Sequence, residues 1–504
     1  MTSNHELQGR LSTVGVESTP TAAEEGDLLV CGARTADWAA TAAAGVDRLQ
    51  PGDRVDLRIR VGRIVEMGPR LDPEPNEEVL VVPGTVVVPG LHDHHVHLRS
   101  LVAAGRSAAV GPAEVGGRQQ LAAALRSAPV DRHGWRRAVG YHESVAGALD
   151  RWSLDALLPG APVRVQHRSG VWWALSSAAV DTLGLDTADC PGVERDERGT
   201  VTGRLFRMDD WLASRLPDDD PVNEIAAVSR RLAACGVVGV TDATPRATAP
   251  GVAALVGAVT DGALCQRLHV MCAPDIEVGA HPRVGRGPHK VLLDDDRLPS
   301  LDDLVELVRA AHGKDVPVAV HCVTLVQLAL TLAAMDVAGT MPGDRIEHGS
   351  VIPGGFVRPL AALGLTVVTN PGLVHDRGET YLEEVDERDL PCLYPCASLL
   401  AGGVAVAAGT DAPFGPTNPW TTVWTAHTRR TRRGSIVGAH EAVPLRSALG
   451  LFTGHAADPG RARHIAVGEV GDVCLLADGI LPAPGRSDAV VATVVAGSIV
   501  HRAV

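Results

Sequence analysis

Pro89-Gly90-Leu91-His92-Asp93-His94-His95-Val96-His97-Leu98 follows an apolar run rich in β-formers, Val81-Val82-Pro83-Gly84-Thr85-Val86-Val87-Val88. Four histidines fall within six residues. His95 and His97 are two apart, so on a strand they share a face. His92 and His94 take the opposite face and fit a solvated, histidine-rich turn. Two imidazoles side by side at a strand end begin a catalytic zinc site when oxygen or nitrogen ligands arrive from elsewhere.

The chain has 504 residues, enough for a large barrel and an appended domain. Hydrophobic residues make up 45% and charged residues 21%, the balance of a globular protein. Aromatics are 3%, so Val, Leu, Ala and Ile must build the core. A formal charge of −14 argues against nucleic acid or an anionic membrane as a partner. No stretch reaches the roughly 18 uncharged apolar residues of a membrane span. Nine scattered cysteines form no paired framework and suit free thiols in a reducing cytosol. The expectation is a cytoplasmic protein acting on a small-molecule substrate. Residues 1–26 are polar, have no secretory apolar segment and read as a disordered tail.

Segments 27–31, 54–60, 62–67 and 78–82 read as short strands between turns, as do 468–476 and 489–500. Two β-rich ends around one long middle predict a small β-sandwich assembled from 27–88 and 465–504. The middle, 89–464, alternates apolar strands with helical stretches such as 301–312 and 325–335. Strands are expected at the histidine stretch and at 237–242, 268–272, 290–293, 317–321, 345–348, 365–369 and 404–410. That alternation predicts an α/β fold, a (β/α)8 TIM barrel. Residues 112–228 differ in character and read as an insert between the first and second barrel strands.

In such barrels chemistry sits at the C-terminal ends of the strands. His95 and His97 come from the first strand, His321 from the fifth, His348 from the sixth and Asp411 from the eighth. Lys290 falls on the fourth, at its start by these boundaries. A lone histidine at a strand end is more often a core or surface residue than a ligand. Four of them with a carboxylate, each on a barrel strand end, are not explained that way.

The pattern resembles the amidohydrolase superfamily. The matching motifs are PGLHDHHVHL at 89–98, VAVHC at 318–322, RIEHGS at 345–350 and AAGTDAP at 407–413, with Thr453-Gly-His-Ala-Ala457 near the end. The resemblance runs from about residue 27 onward and is strongest to the amidohydrolase 3 branch that includes N-substituted formamide deformylases. It implies a divalent-metal site, with Zn2+ as the natural ion, one or two in number, held by His95, His97, Lys290, His321, His348 and Asp411. In binuclear members a lysine on the fourth strand is carboxylated by CO2 and bridges two ions. Lys290 would fit that role, since a carbamate binds a cation where an ammonium does not. The alternative is a salt bridge with Asp294 or Asp295 and a mononuclear site. Asp411 is then both ligand and proton shuttle, and water activated by the metal attacks an amide or N-formyl C–N bond.

Tyr141, Glu143 and Arg168 in the insert are candidate substrate contacts. Departures from the branch cluster there. Val171 stands where a His is usual after Gly170, Ser176 where an Asn is usual, Arg207 at an expected Glu and His142 at an acidic position. Dimers are common in the family, so a homodimer is the expected assembly. Two other readings compete. An aminohydrolase of a cyclic amidine would carry a Glu soon after the fifth-strand histidine, and His321 is followed by Cys-Val-Thr-Leu-Val. A non-catalytic scaffold would have lost ligands that this chain keeps.

Overall fold

The computed structural model describes residues 26–503 apart from 40, 42–47, 189 and 217–221. The tail expected over 1–26 therefore lies outside the described residues, Gly26 excepted.

Strand Leu91–Val96 is buried along its whole length. It pairs in parallel with Val237–Asp242, followed by Arg267–Val270 and Val284–Arg286. A second parallel sheet runs His289–Val291, Val318–Cys322, Arg345–His348, Thr366–Thr369 and Ala405–Ala408. Near-continuous apolar runs suit strands covered on both faces. Helices Leu301–His312 and Leu325–Ala338 connect neighbouring strands. Ser300 caps the first; Thr324 and Gln327 close a capping box on the second. The α/β alternation is present. One apolar cluster, from Val96 and Val240 through Val320 and Ile346 to Val406, runs beneath both sheets.

The two sheets approach each other at both edges. At one edge, only Gly287 and Pro288 separate Val284–Arg286 from His289–Val291. Proline cannot donate to a ladder, so it breaks the strand there. The sequence reading starts this strand at Lys290. The structure starts it one residue earlier, as His289–Val291, with Lys290 in its middle and Val284–Arg286 a separate strand before it. At the other edge, Asp411 N–H donates to the His95 carbonyl at 2.8 Å, and His97 N–H to the Ala412 carbonyl at 2.9 Å.

A separate six-stranded sheet holds Ala108–Ala109, Arg136–Tyr141, Val163–His167, Trp172–Leu175, Val193–Arg195 and Val201–Phe206. It has its own apolar clusters, centred on Tyr141 with Trp172 and on Trp135 with Trp173. Helix Val222–Ala234, placed in the insert by sequence, instead packs Ile225, Val228 and Leu232 into the main core. Its apolar spacing did not reveal which core it serves.

Both chain ends enter one eight-stranded sheet. Val473–Ala477 pairs antiparallel with Thr85–Pro89, with Cys474 opposite Val88. Seven of its strands form one hydrogen-bonded path, and Glu78–Val81 pairs off that path with Leu28–Asp37. Asp472 ties it to the parallel sheets. Its buried carboxylate accepts from Arg267 Nε at 2.6 Å and Ala496 N–H at 2.8 Å, and its carbonyl accepts from Gly90 N–H at 3.0 Å. Asp472→Ala strands both donors and is expected to cost about 2–4 kcal/mol. A clear fall in the thermal unfolding midpoint checks this; an unchanged midpoint refutes it.

Candidate metal centre

The strand ends bring the expected ligands together. Ligand atoms of His95, His348 and Asp411 all lie within 4.8 Å of one another, and all three residues are buried. His97 Nε2 lies 3.1 Å from Asp411 Oδ1, and His95 Nε2 lies 3.6 Å from the same oxygen. The His321 ring sits 4.5 Å from that of His348, which sits 4.6 Å from that of His95. Lys290 Nζ is buried 4.0 Å from Glu347. The fourth-strand lysine thus reaches the cluster, and its alternative partners are taken elsewhere. Asp294 forms a two-bond pair with Arg207 at 3.0 and 3.1 Å, and Asp295 accepts from Thr324.

Burial holds the imidazoles of His95, His321 and His348 below their ordinary range, so each is neutral at pH 7 and can offer a lone pair. Burial also pushes the Lys290 ammonium down to about 8, against the pull of Glu347 and Asp411. Burial alone would raise the Asp411 carboxyl. The hydrogen bond from His97 and the nearby His348 and His95 hold it below the usual carboxylate range.

Several supporting residues were missed from sequence. Glu347 is fully buried; its carboxylate accepts from His95 Nδ1–H and faces Arg345 Nε at 2.5 Å. That fixes the tautomer of His95 and leaves Nε2 for a ligand. Asn370 does the same for His348, accepting from Nδ1–H at 2.8 Å while its own amide donates to the Gly409 carbonyl at 2.8 Å. Asp93 accepts from Thr410 N–H at 2.9 Å, Thr410 Oγ1 at 2.5 Å and His95 N–H at 3.2 Å. The signal for Glu347 was its place in RIEH. Strand alternation sets it opposite His348 and so hides it. His348 escapes that alternation because its φ is +66°.

Asp411 is also left-handed, at φ +57°. Such a conformation costs a non-glycine residue about 1–2 kcal/mol and persists where the surroundings impose it. Gly409 explains part of the constraint. A Cβ there would meet His95 Cβ at 2.4 Å and His95 N at 2.6 Å.

The solvated turn expected for His92 and His94 is not what forms. Both are buried: His92 Nε2 lies 2.9 Å from Thr241 Oγ1, and the His94 ring has no hydrogen-bond partner among the described residues. A parallel strand covered on both faces has no solvent side, which local spacing cannot reveal. Tyr141 is likewise no surface contact. It is fully buried against Trp172, and its hydroxyl donates to the Gly147 carbonyl. Glu143 faces His167 and His142 in the insert. Arg168 comes nearer the cluster. Its carbonyl accepts from Arg377 Nη2 at 3.0 Å, and the same nitrogen donates to the Phe414 carbonyl at 2.6 Å. Phe414 packs on His97, ring centroids 5.3 Å apart, and a Cβ on Gly170 would strike its ring at 2.7 Å.

The model of the amidohydrolase family matches residues 83–501. The chain belongs to the amidohydrolase family. It is thus a metal-dependent hydrolase acting on carbon–nitrogen bonds. This amidohydrolase is 26% identical over 496 residues to the N-substituted formamide deformylase of Arthrobacter pascens, covering 85% of this chain and 88% of that protein. The crystal structure of an uncharacterized metal-dependent hydrolase from Pyrococcus horikoshii is 16% identical. It covers 91% of this chain and 99% of its own, with a TM-score of 0.71. Atrazine chlorohydrolase TrzN from Arthrobacter aurescens, complexed with zinc, is 15% identical, with 94% of each chain covered and a TM-score of 0.53. At these identities the two structures speak to the fold. Among the described residues, no helix of this amidohydrolase is long and apolar enough to cross a membrane.

Glu347→Gln keeps the size of the side chain and removes the charge that orients His95. Metal affinity is expected to fall about 10–100-fold, read as metal retained after dialysis. Full retention would show that His95 is positioned by other means.

Proposed function

We propose that this amidohydrolase hydrolyses the amide bond of an N-acyl or N-formyl amine at a divalent-metal centre held by His95, His97, His321, His348 and Asp411. The convergence of His95, His348 and Asp411 within 4.8 Å carries the reading. The donor set fits a cation. His95 Nε2 and Lys290 Nζ are buried with no hydrogen-bond partner in the described structure, and neutral imidazoles with an ionised carboxylate suit Zn2+. We read the two parallel sheets as one (β/α)8 barrel with these residues at the C-terminal strand ends. The formamide deformylase of A. pascens supports an acyl or formyl substrate.

A bound divalent cation supplies Lewis acidity, polarising a carbonyl and lowering the pKa of water to about 7. Asp411 takes a proton from the attacking water and returns it to the departing amine as the C–N bond breaks, leaving an acid and an amine. His97 would hold the ion beside the Asp411 oxygen that does this. Phe414, set between His97 and the insert, shields that side of the centre from water. Lys290, with its amine eased toward neutrality, is the group that CO2 would carboxylate, and the carbamate would serve a second ion.

Screening the metal-loaded protein against N-formyl, N-acyl and cyclic amides tests the reading; no turnover across the acyl and formyl series would end it. On the substrate so found, Asp411→Asn is expected to lower kcat about 10²–10⁴-fold with metal still bound. If Lys290 bridges, metal analysis should give two ions per chain in the wild type and one in Lys290→Met.

A further inference from the structure

We propose that the insert carries a second metal site, formed by His142, Glu143 and His167, that takes one borderline divalent ion such as Zn2+ or Ni2+. The register builds it. Strand Arg136–Tyr141 runs parallel to Val163–His167 with Tyr141 opposite His167, so His142 and Glu143 emerge beside the end of the neighbouring strand. His167 Nε2 lies 3.2 Å from Glu143 Oε2, and His142 Nε2 lies 3.8 Å from the same oxygen. Ligand atoms around a tetrahedral zinc with bonds of about 2.0–2.2 Å stand roughly 3.3 Å apart. The two distances to Glu143 are near that spacing, and all three donors lie within 4.8 Å of one another.

A second feature points the same way. Each imidazole is followed two residues later by a serine, in His142-Glu143-Ser144 and His167-Arg168-Ser169. The serine hydroxyls lie 2.9 and 2.6 Å from the two Nδ1 atoms. Without metal, Nδ1 also accepts from the serine amides, at 3.3 and 3.2 Å. With Nε2 on a metal the ring proton moves to Nδ1, where the hydroxyl oxygen accepts it. That is the outer hydrogen bond metal-bound histidines ordinarily make. His167 also stacks on Trp172, centroids 4.9 Å apart and planes 13° from parallel, which fixes its ring. The cationic Arg168 and Arg377 near His142 oppose a metal, and the carboxylates of Glu143 and Glu384 favour one. Glu143 is 42% exposed, which opens the site to ions from solvent.

An ion here would pin His167, the residue before the Arg168 carbonyl that Arg377 links to Phe414. The site is therefore a structural clasp on the loop beside the catalytic centre, with no part in the bond cleavage itself.

The experiment loads the catalytic centre, removes free metal, and then titrates Ni2+ while following equilibrium dialysis and tryptophan fluorescence. One further equivalent is expected, with partial quenching from Trp172. It should disappear in His142→Asn and His167→Asn and weaken in Glu143→Gln, whose half-exposed side chain can change without disturbing the fold. Trp172→Phe should keep the equivalent and lose part of the quench. Absence of a further equivalent in the wild type, or its survival in both histidine variants, overturns the proposal. No substrate is needed, and Asp411→Asn must keep the equivalent, so failure of the amide reading leaves this test intact.

Discussion

The cluster of His95, His348 and Asp411 depends on the buried carboxylate of Glu347. It has no exposure to water, and an ionised carboxylate in such a place must be matched by hydrogen bonds and opposite charge. Arg345 supplies the fixed charge, Lys290 a second cation 4.0 Å away, and His95 a ring N–H. These partners lie on three different strands. Satisfying one carboxylate therefore sets the relative height of the first, fourth and sixth strands and turns His95 Nε2 toward Asp411.

The proposed ligands were legible as candidates in the sequence because each is a local event. An apolar run ends on a histidine or aspartate, and a strand end in this architecture faces the site. What stayed hidden depends on partners far along the chain or on backbone geometry. Glu347 sits next to a candidate ligand, and alternation points it away. The left-handed His348 puts both on the site side. Asp93 and Asn370 look like ordinary polar residues until Thr410 and Gly409 are brought to them. Tyr141 stood within a motif, and motif membership does not distinguish a residue that packs under a site from one that lines it.

The insert and the parallel sheets meet through a small joint. Arg377 spends one nitrogen on two carbonyls, one on each side, and Phe414 fills the space left by a glycine without a side chain. The joint lies three residues beyond Asp411. Arg207, just past the insert strand Val201–Phe206, pairs with Asp294 in the loop beyond Lys290.

The antiparallel pairing of Val473–Ala477 with Thr85–Pro89 has a consequence for how the protein is made. Thr85–Pro89 runs directly into the strand that bears His95 and His97. On the ribosome it leaves the exit tunnel early, with one of its two edges unpaired until almost the whole chain has been synthesised. Contacts between such distant segments close late and slowly. Until then an apolar strand edge next to a row of histidines is open to other chains and to stray metal ions, and protection of the nascent protein must come from outside it.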